Sequence, residues 1–96
     1  MSQAVPRSDK ADPSVTALAE ACLGYLAENP DELLAFMQHV GLDPASLRSA
    51  VGTPAFERGL IDHVASNEPI LLALCANTGM APEQFMRVWH RINPAG

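Results

Sequence analysis

The sequence predicts an all-α fold, a compact bundle of about six short helices. Three observations lead there. Apolar residues recur at three-, four- and seven-residue spacings, and no stretch alternates as a strand. Capping side chains stand directly before proline at Asp12-Pro13, Asn29-Pro30, Asp43-Pro44 and Thr53-Pro54. The cap accepts a hydrogen bond from a free helix N–H, and proline at the first helical position gives up a donor that has no partner there. Gly41, Gly52 and Gly79 fall where helices should stop, since glycine takes the left-handed conformation without a Cβ clash. With 96 residues, 48% apolar and 18% charged, the chain has material for one small domain and is too apolar to be disordered throughout.

Residues 1–11 carry no periodic apolar face and read as a disordered tail, leaving 12–96 as a single helical domain. The first helix is expected over about 13–28, with Val15, Leu18, Cys22, Leu23 and Leu26 on one stripe. The second, about 30–40, carries Leu33, Leu34, Phe36, Met37 and Val40, and Asn29 with Glu32 fits a capping box. A short third, about 44–51, has Leu47 and Val51; a fourth, about 54–66, has Phe56, Leu60, Ile61 and Val64. The fifth, about 68–78, tolerates Pro69 in its first turn and carries Leu71, Leu72, Leu74 and Cys75. The sixth, about 82–92, has Phe85, Val88, Trp89 and Ile92. The core expected from these stripes is Leu18, Leu23, Leu26, Leu34, Met37, Leu60, Val64, Leu72, Cys75, Phe85 and Trp89.

A shift of 38 residues superposes the helices. Leu33-Leu34-Ala35-Phe36 falls on Leu71-Leu72-Ala73-Leu74, Gly41 on Gly79, Pro44 on Pro82 and Asn29 on Asn67. The reading is two pseudo-repeated three-helix units, about 15–52 and 53–90. A unit that small cannot sustain its own core, so the two should pack on each other. Ala21 and Gly59 coincide under the shift and suggest a close approach of the first and fourth helices.

Leu60-Ile61-Asp62-His63, Leu71-Leu72-Ala73-Leu74-Cys75 and Gly79 form one recognisable string; Gly41-Leu42-Asp43-Pro44-Ala45-Ser46-Leu47-Arg48 and Gly52-Thr53-Pro54-Ala55-Phe56 form another. Together they resemble a family of short bacterial proteins known as domain of unknown function 3572, over roughly Leu18 to Arg91. Pro69 and the Trp89-His90 pair depart from the family's pattern. The resemblance implies an all-helical cytoplasmic protein with no known activity and no catalytic residues to carry over.

Eleven acidic residues against six basic ones give a net charge of −5. From Asp12 to Ile70 nine acids face only Arg48 and Arg58. Such a body repels phosphate backbones and anionic lipid; it serves solubility first and would suit a basic partner second. The apolar runs are too short for a membrane span, the polar N-terminus lacks the apolar stretch of a secretory signal, and two widely spaced cysteines make no disulfide framework. The expected compartment is the cytoplasm.

Little in the chain points to chemistry. His39, His63 and His90 lie on three helices with no ligand partner one turn away, so no metal and no cofactor is expected. Asp62 and His63 are neighbours and point about 100° apart on a helix. The repeat aligns His39 with Asn77 and His63 with Tyr25, which reads as surface or helix edge. Cys22 and Cys75 sit on apolar stripes and read as core. No phosphate loop or hydrolase motif is present. The segment 71–91 has a helix-turn-helix outline whose second helix would present Gln84, Arg87, His90 and Arg91. Glu83 in its first turn and the acidic body oppose that use. The expected function is a non-enzymatic module that binds another protein or itself, with DNA binding as the alternative and an enzyme or metal protein last. The candidate interaction surface is Gln84, Arg87, Trp89, His90 and Arg91; Trp89 enters because tryptophan dominates binding hot spots.

Overall fold

A computed structural model describes residues 12–94. Within them the chain forms α1 (Val15–Ala27), α2 (Pro30–Val40), α3 (Pro44–Ala50), α4 (Pro54–Ala65), α5 (Glu68–Thr78) and α6 (Pro82–Ile92), and no strand. The tail expected over residues 1–11 lies outside the described residues.

The starts of the helices divide into two kinds. Asp43 and Thr53 cap as the sequence suggests: Asp43 Oδ1 accepts from the Ser46 N–H at 2.7 Å and Thr53 Oγ1 from the Phe56 N–H at 3.2 Å. The two asparagines do the opposite. Asn29 Nδ2 donates backwards to the Tyr25 carbonyl at 2.7 Å, and Asn67 Nδ2 to the His63 carbonyl at 2.7 Å. They close the preceding helix, and the Asn29–Glu32 capping box is not formed. An asparagine amide can donate as well as accept, and the orphan carbonyls of the preceding helix claim it first. At α1, Ser14 takes the capping role expected of Asp12, its Oγ accepting from the Ala17 N–H at 3.0 Å. Helix α1 therefore opens at Val15, not Pro13. At α6 the Gln84 side chain reaches back to accept from the Ala81 N–H at 2.9 Å. Gly41 and Gly79 each end a helix at φ 77°, and the next N–H groups, those of Leu42 and Met80, return to the carbonyls of Met37 and Cys75.

Helix α4 is the hub, packing against α1, α2, α5 and α6. The core joins Leu18, Ala19, Cys22 and Leu26 of α1 to Phe36 and Met37 of α2 and to Phe56, Leu60, Ile61 and Val64 of α4. Ile70, Leu71, Leu74 and Cys75 of α5, with Phe85 and Val88 of α6, complete it. Leu34 and Leu72 are corrections: they are 54% and 48% exposed. Each lies two positions, about 200° of helix, from a fully buried residue, Phe36 or Leu74. In a run of adjacent apolar residues only one arc can face inward. Leu23 and Trp89 are half-buried.

The close approach of the first and fourth helices inferred from Ala21 and Gly59 is observed, but Gly59 is not where they touch. Helices α1 and α4 do pack along one another, with Thr16 Oγ1 donating to Glu57 Oε1 at 3.3 Å. Gly59 faces open space, where an added Cβ would meet nothing within 4 Å. Cys22 and Cys75 are buried free thiols as expected of core residues, and burial pushes the Cys22 thiol up to about 12.

Candidate functional site

The C-terminal end of α2, the outer side of α4 and the second half of α6 enclose an open cleft of about 510 Å³. Its walls are largely apolar: Val40 from α2, Ala65 from α4, and Met86 with the indole of Trp89 from α6. Into it α4 brings Asp62, His63 and Ser66, α2 brings His39 and α6 brings Asn93.

Trp89 is anchored. Its Nε1–H donates to Asp62 Oδ1 at 2.8 Å, and the Asn93 amide donates to the same oxygen at 3.2 Å and to the Trp89 carbonyl at 3.0 Å. His90 stands edge-on to the indole with ring centroids 5.0 Å apart. The tryptophan is thus held in one orientation before anything binds.

His63 was expected at a surface or edge position and is 9% exposed. A hub helix enclosed by four neighbours buries a wider arc than a stripe of apolar residues reveals. Its ring meets Phe36 at 5.3 Å and His39 at 5.9 Å. Its Nε2 is buried and has no hydrogen-bond partner among the described residues. Burial, aided by neighbouring His39 and opposed by Glu32, holds the imidazole below the usual histidine value, so it stays neutral near pH 7.

The other expected contact residues of α6 lie elsewhere. Arg87 grips Asp12 through Nε, at 3.1 and 3.0 Å to the two carboxylate oxygens, and through a terminal nitrogen at 2.8 Å. That bond holds the Asp12 carboxyl below its ordinary range and raises the Arg87 guanidinium. Arg91 donates to the Pro13 carbonyl at 3.2 Å, and His90 Nδ1 to the Met86 carbonyl at 2.8 Å. Asp12, Arg87, His90 and Arg91 line their own shallow concavity. Of the five candidates, Trp89 lines the cleft and touches His90; Arg87, His90 and Arg91 gather around Asp12; and Gln84 sits at the start of α6. The meeting of His39 with His63 and of Asp62 with Trp89 was not foreseen, because each joins separate helices and leaves no spacing signal within one. Among the described residues no three histidine, cysteine or acidic side chains assemble as a metal site, and no helix is long and apolar enough to cross a membrane.

The family model described as "Protein of unknown function (DUF3572)" matches residues 11–95. The chain belongs to this family. The match extends the likeness seen over roughly Leu18 to Arg91 to nearly the whole chain. No curated protein and no solved structure matches the chain. This DUF3572 member is thus, over its described residues, an all-helical domain of unknown function with an open cleft between α2, α4 and α6.

Proposed function

We propose that the domain is a non-enzymatic interaction module that docks a partner protein in the α2–α4–α6 cleft. The observation that carries this reading is the orientation of Trp89: a large amphipathic ring is fixed at an apolar cleft by Asp62, which Asn93 holds in turn, so little side-chain freedom remains to be lost on binding. A held tryptophan beside apolar walls has the make-up of a binding hot spot. The DNA alternative draws less support, because the arginines it needs are engaged with Asp12 and the Pro13 carbonyl, and the body is acidic.

The test is affinity capture from the source cell with and without nuclease, using three baits. Val40 is 39% exposed at the cleft, so Val40→Glu should leave the fold intact and abolish capture. Changing both Arg87 and Arg91 to glutamate should leave capture nearly unchanged. A sub-micromolar, sequence-selective shift of duplex DNA that vanishes in the double variant would replace this reading with the DNA one. Sedimentation of the isolated protein separates self-association from a foreign partner.

A further inference from the structure

The polar groups that line the cleft have an uneven inventory. Their hydroxyl, amide and indole donors are spent inside the protein. The Trp89 Nε1–H goes to Asp62 Oδ1, both Asn93 amide hydrogens go to Asp62 Oδ1 and the Trp89 carbonyl, and the Ser66 hydroxyl goes to the carbonyls of Asp62 and His63. What remains is mostly acceptor. Asp62 Oδ2 takes no hydrogen bond from any described residue, and the Asn93 side-chain oxygen keeps its lone pairs. The His63 imidazole, kept neutral by burial, carries one acceptor and one donor nitrogen. Among the described residues that line the cleft, Asp62 is the one acid and there is no lysine or arginine. The indole face adds an electron-rich surface, which attracts a cation electrostatically.

We propose that the cleft receives a lysine or arginine side chain of a partner protein, its methylene stem along Val40, Met86 and Trp89 and its cationic head on Asp62 Oδ2. This rests on the docking reading above and names its chemistry. A long side chain with an apolar stem and a charged donor-only head matches both halves of the site. A carboxylate head would meet a like charge and few free donors. The surplus of acids over the whole chain, eleven against six, favours approach of a basic partner in the same sense.

The test uses isosteres of the bound side chain. Pentylammonium, pentanol and hexanoate are titrated into the unaltered protein at pH 7.5 and followed by amide and indole chemical shifts. The expected result is shifts confined to the neighbourhood of Val40, Asp62, Met86 and Trp89, with the ammonium binding about fivefold tighter than hexanoate. Asp62→Asn keeps an oxygen for Trp89 and Asn93 and should bring that ratio close to one. Equal binding of the three probes in the cleft, or a preference for hexanoate, overturns the cation assignment and leaves the docking reading standing. Failure of all three to move the cleft resonances overturns both. A charge preference that persists in Asp62→Asn also overturns the assignment. The isostere comparison on the unaltered protein decides even if that variant folds poorly.

Discussion

Leu60 and Leu72 are chemically identical, and the helical period gave them equal standing as core residues. The structure separates them, so truncating each to alanine is a direct test of the packing. Leu60 is 1% exposed on the hub helix. Removing the equivalent of about three methylenes costs about 2.4 kcal/mol in transfer free energy. A residual cavity of about 60 Å³ adds roughly 1.5 kcal/mol, for a total near 4 kcal/mol. Leu72 is 48% exposed, so about half the transfer cost applies and no closed cavity forms. The expected loss there is about 1 kcal/mol, partly offset because alanine is the better helix former. Urea unfolding followed by far-ultraviolet circular dichroism measures both, and thermal melting should separate the variants by at least 10 °C or so at roughly 4–8 °C per kcal/mol. Equal destabilisation by the two changes would mean that α5 presents a different face to the core and that the packing described above is wrong.

Stability should fall with acid through His63, whose folded pKa is lowered by burial. Its share is fully present above the ordinary histidine value near 6.5 and is lost as pH falls from there through the folded value, because the unfolded chain binds the proton more readily. Thermal melts at pH 7.5 and 5 should differ less in His63→Phe than in the unaltered protein; an unchanged difference would remove His63 from the account. Asp43→Ala loses the cap on α3 and should lower the urea midpoint at neutral pH. That Asp43 bond depresses the carboxyl, so its contribution is present above the usual carboxylate range and fades as pH falls below it. Cys22, buried and pushed up to about 12, should resist alkylation at pH 8 in the native protein and react at once in denaturant. Rapid labelling of the folded chain, read by mass spectrometry, would contradict its placement.

Much of the fold was legible because its signals are local. The bounds of α2, α5 and α6 fall where Pro30, Gly41, Glu68, Gly79 and Pro82 put them, since a cap or a left-handed glycine acts within one turn. Asn29 misled because an asparagine before proline has the same appearance whether it starts the next helix or finishes the last. Leu34 and Leu72 misled because a run of adjacent apolar residues does not reveal which arc its neighbours will cover. The cleft was not legible at all. Asp62 and Trp89 are 27 positions apart, and Arg87 and Asp12 are 75. Pairings of that span are settled by the packing of whole helices. Trp89 could be named as a contact residue from its type alone, but its carboxylate anchor could not.

The two backward-reaching asparagines bear on the order in which the chain takes shape. Asn29 bonds the carbonyl of Tyr25, four residues behind it, and its own carbonyl accepts from Glu32 and Leu33 ahead. Asn67 likewise bonds His63 behind, while its carbonyl accepts from Leu71 ahead. Each corner is therefore tied on both sides by contacts spanning four residues, at little loop-closure cost. The joints between α1 and α2 and between α4 and α5 can set their angle early, before any distant surface is buried. What must come later is the docking of α1 along α4, marked by the Thr16–Glu57 bond across 41 positions. Two pre-bent helix pairs that need only collide should fold faster than six helices left to find one another, as short-range topology generally does. A substitution that loosens either corner would then slow folding while leaving the unfolding rate nearly untouched.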